Sequence, residues 1–282
     1  MFDRNLIFDF GLHDGGDSRF YLDKGFRVIG LEANPRFCIT AREEFAQDIA
    51  HGRFQLVDKA LSTEDDSCVS FFIRDDADGW SSLFKDAAER DGRPSVPITV
   101  STTTTSRLFD QFGVPYYVKC DIEGGDTIFV EQLIAERRRP PFVSVEIDSL
   151  EIAQLLQQAG YDRFQIVDQS RLQFSRPPRP PREGRFVDIT FNGKMSGLFG
   201  RELKPKRWAT FEDVAAQITL WKKLNQINSV LEYGLRRWGK WTSRGWLNKS
   251  SWLDIHATTQ AMLEAARVPF ARLKPCRWTI DK

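Results

Sequence analysis

The sequence predicts an α/β domain built on a mostly parallel sheet with helices on both faces, followed by a helical extension. Three observations carry this reading. Strand-length apolar runs alternate with helix-spaced patterns through the first two thirds of the 282 residues. The first run ends in a glycine-bearing turn, and the second ends in an acid. Beyond about Leu203 the strand signals stop, and an aromatic, helix-patterned chain follows.

The first strand is Asn5–Phe10. Its turn carries Gly11, Gly15 and Gly16, and a helix is expected over Ser18–Lys24. Arg27–Glu32 is the second strand. Pro35–Ile49 reads as one helix, because proline in a first turn sacrifices no intrahelical hydrogen bond. Strands Phe54–Val57 and Val69–Ile73 follow. Residues 75–93 are polar and aspartate-rich around Gly79-Trp-Ser-Ser-Leu83, the make-up of a functional loop at the strand ends of an open sheet. Strand Tyr116–Cys120 breaks into Asp121-Ile-Glu-Gly-Gly125. Helix Asp126–Arg138, strand Phe142–Ile147 and helix Ser149–Ala159, with Gly160 as its C-cap, continue the alternation. After strand Phe164–Val167, residues 175–184 hold four prolines and can form only a semi-extended surface loop. A last strand is expected at Phe186–Phe191. A boundary near residue 200 then separates a ligand-binding domain, 1–200, from a helical extension, 201–282, that packs on the sheet or caps its site. Seven of the eight tryptophans fall in that extension, among patterns such as Phe211–Tyr233.

Composition excludes several classes of function. A formal net charge of +1 leaves no surplus for broad nucleic-acid binding; the basic stretch 201–249 reads first as a solvated helix face, and as the binding surface if the acceptor is RNA or protein. Cys38, Cys68, Cys120 and Cys276 are scattered without C-x-x-C spacing, so neither a zinc site nor a disulfide framework is expected. No apolar stretch approaches the ~20 residues of a membrane helix. No signal peptide is evident either, so a cytoplasmic protein is expected.

Two constellations carry chemistry. In the first turn, Asp9-Phe-Gly-Leu-His-Asp-Gly-Gly-Asp17, position 13 is His where the dinucleotide fingerprint G-x-G-x-x-G has glycine. His13 and Asp14 would crowd and repel a pyrophosphate. A ligand with a ribose but no phosphate fits better, and S-adenosylmethionine is one. Glu32, at the end of the second strand, would accept from its ribose hydroxyls. In the second constellation Asp121 and Glu123 end one strand, while Glu146 and Asp148 end another. Carboxylates gathered there repel, so one should take up a proton or share a cation. Capping of the following helices accounts for Asp126 and Asp148, but not for Asp121 and Glu123.

The motifs Asp9–Asp17, Gly30-Leu-Glu-Ala-Asn-Pro35, Trp80-Ser-Ser-Leu83, Lys119-Cys-Asp-Ile-Glu-Gly124 and Ser144-Val-Glu-Ile147 occur in this order. Together they resemble the FkbM family of S-adenosylmethionine-dependent methyltransferases over roughly residues 5–200. The resemblance implies the class I methyltransferase fold, a Rossmann-like seven-stranded sheet with one antiparallel strand. It also implies O-methyl transfer to a sugar, glycan or secondary metabolite. Carried over by position, Asp9, Gly11, His13 and Gly15 would line the methionine end of the cofactor. Glu32 would hold the ribose, with Ala33 and Asn34 beside the adenine, and Asp58 would meet the adenine amino group where the family often has Asn.

Asp121 and Glu123 are the candidates for general base or acceptor positioning, with Glu146 in support. His13 either serves the cofactor or acceptor or closes the turn. His256 either reaches the acceptor or packs in the interior, and His51 lies on the surface. Magnesium is compatible with the acids but not required, and no metal ligand is assigned. A small-molecule or carbohydrate acceptor is the leading expectation. Alternatives are an RNA or protein acceptor, or a methyltransferase-like scaffold without activity.

Overall fold

The computed structural model describes residues 1–147, 149–169, 172, 175–223 and 253–265. The chain opens with β1 (Asp3–Phe10), α1 (Gly16–Asp23), β2 (Arg27–Leu31), α2 (Pro35–Glu44), α3 (Ala46–Ala50) and β3 (Phe54–Val57). An excursion follows, in which β4 (Ala60–Leu61), β5 (Cys68–Ile73), the short helix α4 (Lys85–Ala88) and β6 (Val96–Thr103) build a three-stranded sheet of order β4-β6-β5. The alternation resumes with α5 (Thr105–Phe112), β7 (Pro115–Cys120), α6 (Asp126–Ala135), β8 (Phe142–Glu146), α7 (Leu150–Gln158) and β9 (Arg163–Asp168). A helix, α8, covers residues 211–223, and β10 (Leu253–Thr258) and α9 (Gln260–Ala265) end the described chain.

The main sheet has seven strands in the order β3-β2-β1-β7-β8-β10-β9. Neighbours are parallel throughout except β10, which runs antiparallel to both β8 and β9. Strand order reverses between β1 and β7, and their carboxyl ends flank the crevice where open sheets bind ligands. Burial on both faces explains the near-continuous apolar runs. On one face Phe8, Phe10, Val118, Val143 and Ile255 pack against Leu108 and Phe109 of α5, Phe129 and Leu133 of α6, and Ile152 and Leu156 of α7. On the other, Ile7, Tyr117 and Phe142 meet Phe20 and Tyr21 of α1 together with Phe191, Met195 and Phe199.

Four expectations are corrected. Pro35–Ile49 is two helices, broken at Phe45, whose buried ring stacks on Phe54 at 4.3 Å. Val69–Ile73 belongs to the small sheet, beside β6, which carries Pro97 and a run of Thr and Ser that hide its strand character. Phe186–Phe191 forms no strand. It belongs to a segment laid across the α1 face, where Phe191 is buried edge-on against Phe20. The seventh strand comes instead from Leu253–Thr258, inside the stretch expected to lack strands, and all six of its residues are buried. Its inward Asp254 and His256 break the apolar pattern that would have marked it. The helix ending at Tyr233 lies outside the described residues beyond position 223, as do Asp148 and the tryptophans at 238, 241, 246, 252 and 278. Residues 175–184 carry no helix or strand among those described, and no described helix is long and apolar enough to cross a membrane.

Buried polar contacts fasten the segment after β9 to the end of α1 and to β7. Lys24 Nζ lies 2.6 Å from Glu202 Oε1, with both side chains fully buried, and also donates to the Arg185 carbonyl at 3.2 Å. Glu183 accepts from the Tyr116 hydroxyl at 2.5 Å and from the Arg201 backbone at 2.8 Å. Removing one member of a buried pair strands the other's charge. Lys24→Met should therefore cost about 3–5 kcal/mol of stability. Lys24→Met/Glu202→Met together should cost less than the single change, as read by denaturant unfolding. A single variant as stable as wild type would show that the pair does not hold the segment after β9 in place.

Candidate active site

The site begins with a steric requirement. Gly11 has φ +78°, and a Cβ placed there would sit 1.8 Å from the Asp121 carbonyl oxygen. Only glycine lets the β1 turn approach the β7 loop this closely. The two strand ends are also joined by Asp121 N donating to Phe10 O at 3.0 Å and by Lys119 Nζ donating to Gly11 O at 2.9 Å. His13, with φ +51°, lies in the left-handed region that costs a residue with a side chain about 1–3 kcal/mol. That bend turns its backbone N–H onto Glu32 Oε2 at 2.9 Å, while Asn34 N donates to Glu32 Oε1 at 2.8 Å. Glu32 is thereby fixed at the mouth of β2, with burial pushing its pKa up and the two amides opposing that shift. Asn34 also caps α2 by accepting from Arg36 N at 3.1 Å.

A cavity of about 460 Å³ runs from this turn to the ends of β7 and β8. Small-molecule sites span ~300–1,000 Å³. Its first part is lined by Glu32 and His13 together with the apolar side chains of Ala33, Phe37, Ala60, Leu61 and Phe71. Its far part holds Asp121, Glu123 and Glu146. Oxygens of these three acids lie within 4.8 Å of one another.

Electrostatics divide their roles. Burial pushes the Glu146 carboxyl far above the usual range, and Asp121 and Glu123 add to the shift, so it holds its proton at neutral pH. Burial also raises Glu123, opposed by the Arg90 guanidinium 2.6 Å from Oε2. Asp126, at the start of α6, is pushed to about 7 by burial and by Asp121. It accepts from the backbones of Ile122 and Gly124 at 3.4 and 3.2 Å, so it supports the loop. Burial works against the Lys119 ammonium, but Asp9, Asp121, Asp17 and Asp254 hold its pKa well above the lysine range. Protein cations stand beside two of the three acids, Lys119 at 3.8 Å from Asp121 and Arg90 on Glu123.

The structure brings Gly11, His13, Glu32, Ala33, Asn34, Asp121, Glu123 and Glu146 to one cavity wall. Three residues given ligand contacts by resemblance are placed elsewhere. Asp9 is fully buried behind the wall, where it accepts from Ser18 Oγ at 2.7 Å and faces Lys119 at 3.5 Å. Gly15 is spent on packing, since a Cβ there would meet the Phe45 ring at 2.7 Å. Asp58 is largely exposed against Arg42, and the next three residues line the cavity instead. His256 is buried within β10, and burial lowers its pKa to about 3, so it is an interior packing residue. His51 is exposed. Sequence reasoning missed Phe37, Leu61, Phe71, Arg90 and Lys194, none of which stands in a motif.

Counting only the main-sheet strands in chain order, their spatial order is 3-2-1-4-5-7-6, with the last strand in chain order (β10) antiparallel. This order, a glycine turn after β1 and an acid after β2 define a class I methyltransferase fold. The chain belongs to the methyltransferase FkbM domain family, whose model matches residues 9–163. Among solved structures it is similar to precorrin-6y C5,15-methyltransferase from Geobacter metallireducens GS-15, at 13% identity and TM-score 0.36, covering 59% of this chain and 68% of that one. It is also similar to the C-terminal domain of precorrin-6Y C5,15-methyltransferase from Rhodobacter capsulatus, at 14% identity and TM-score 0.35, covering 58% and 67%. No curated protein matches the sequence.

The close approach at the turn gives a direct test. Gly52 also has positive φ, +67°, but a Cβ there would meet nothing within 4 Å. Gly52→Ala should cost only the left-handed strain, about 1–2 kcal/mol. Gly11→Ala should cost clearly more in denaturant unfolding, because the backbone of Asp121 must move. Equal costs would mean that the turn and the acid loop are not locked together.

Proposed function

We propose that the protein transfers the methyl group of S-adenosylmethionine to a hydroxyl of a small, hydroxyl-rich acceptor, a sugar, glycoside or related metabolite. The observation that carries this reading is the continuity of one cavity between the Glu32 cradle and the acid trio. Each Glu32 oxygen takes one backbone amide, which leaves lone pairs for two ribose hydroxyls. The apolar lining supplied by Phe37, Leu61 and Phe71 suits a flat heterocycle. The turn bearing His13 and Asp14 suits an amino-acid end and not a pyrophosphate.

The sulfonium supplies an electrophilic methyl group, so the chain's task is alignment and proton removal. Holding donor and acceptor in line is worth ~7–11 kcal/mol, and a general base adds ~10²–10⁴-fold. Asp121, at the tip of β7, is the base. Glu123 shares the acceptor hydroxyl, and protonated Glu146 donates a hydrogen bond that orients the acceptor oxygen. Lys119, with its ammonium 3.8 Å from Asp121, is the cation that stands beside the base.

Labelled S-adenosylmethionine incubated with a panel of sugars, glycosides and hydroxylated metabolites, with and without EDTA, tests the proposal. Label should pass to a hydroxyl of at least one member and be indifferent to the chelator. Asp121→Asn should reduce turnover by about 10²-fold or more while leaving cofactor affinity nearly unchanged. Transfer to nitrogen or carbon acceptors, or normal turnover by Asp121→Asn, would overturn it.

A further inference from the structure

Glu123 holds a backbone conformation that its residue type disfavours, with φ +51° in the loop between β7 and α6. Two contacts keep it there, and both come from the excursion between β5 and β6. Ser82 Oγ, wholly buried, donates to the Glu123 carbonyl at 2.6 Å and accepts from Phe84 N at 3.0 Å. Arg90 Nη1 donates to Glu123 Oε2 at 2.6 Å. Arg90 is in turn seated on the Trp80 indole, its guanidinium carbon 4.1 Å from the ring centroid. The base of this arm is rigid. Arg74, also beside Trp80, is 1% exposed and bonded to Asp76, Asp91 and the Ala88 carbonyl.

An ordinary exposed ion pair does little, because two flexible chains must be held in one geometry. Here the arginine is pre-seated on an aromatic face, and the glutamate backbone is pinned separately by Ser82. We propose that Arg90 is a positioning residue: seated on Trp80, it aims the Glu123 carboxylate into the acceptor end of the cavity. The β5–β6 excursion, and not the main sheet, thus sets the geometry of one active-site acid. The inference rests on the methyl-transfer reading above, since it assigns Glu123 a part in acceptor binding.

Charged groups reach Glu123 from every side. Asp121 and Lys119 come from β7, Glu146 from β8, Asp126 from α6 and Arg90 from the excursion. Without Arg90, Glu123 would face three carboxyls with Lys119 as the counter-charge. Its proton affinity must then rise, and its orientation must loosen.

The test uses protein labelled with 13C at the glutamate carboxyl, with the Glu123 resonance assigned by its loss in Glu123→Gln. In Arg90→Met the Glu123 titration should move to higher pH, a gain in proton affinity of roughly tenfold or more. Arg90→Lys should restore most of the wild-type curve. Unchanged binding of S-adenosylhomocysteine and an unchanged thermal midpoint would show that the variants are folded. In turnover of whichever panel sugar is methylated, Arg90→Met should lower kcat by about 10–100-fold with KM for the cofactor nearly constant, and the double variant with Glu123→Gln should be no slower than Glu123→Gln alone. An unmoved titration in Arg90→Met, or additive losses in the double variant, overturns the inference. If no panel member is methylated, the methyl-transfer reading fails, and the carboxyl titration still decides whether Arg90 governs Glu123.

Discussion

One ammonium group joins the two halves of this site. Lys119 reaches from β7 to the carbonyl of Gly11 at 2.9 Å, with Asp9 at 3.5 Å and Asp121 at 3.8 Å. Burying a charge so completely is expensive unless opposite charges and hydrogen bonds surround it. Asp9 is tied up by Ser18, so it serves the lysine and not a ligand. Asp121 is the partner that also faces the cavity. The glycine turn and the acid loop therefore cannot shift independently, and a ligand held on the first is presented to the second.

This pairing belongs to a larger polar row. Asp9, Lys119, Ser144, His256 and Gln165 stand opposite one another across five adjacent strands, all buried on the face covered by α1. Packing alone would not place five polar groups there. Tyr117 and Ser144 share a hydrogen bond of 2.5 Å, and Asp254 accepts from Gln169 one row further on. The same low-dielectric surroundings push Glu146 and Asp254 toward their neutral forms. Burial likewise raises Glu123 and Asp126, so these crowded carboxyls are all shifted in the same direction.

The first βαβ unit was legible because its signals are local. An apolar run, a glycine turn and a strand-end acid lie within Leu6–Glu32, and the structure puts Glu32 where that pattern points. The acids at 121, 123 and 146 were legible for the same reason, each closing an apolar strand. What escaped depends on partners distant in sequence. β10 carries Asp254 and His256 inward, so it does not read as a core strand. Phe186–Phe191 alternates like a strand, yet it only lays one face on α1. Asp58 matched a family position, but its side chain pairs with Arg42. Arg90 stands in a polar loop and gains meaning only from Trp80 and Glu123 across the cavity.

Calorimetric titration with S-adenosylhomocysteine, on wild type and on Lys119→Met, addresses the central claim most directly. The account predicts one ligand bound per chain by wild type. It predicts an affinity at least about tenfold weaker in a variant that still unfolds cooperatively, because the lysine's loss frees the turn from the acid loop. Absence of binding heat in the wild type, or equal affinity in both proteins, would contradict it.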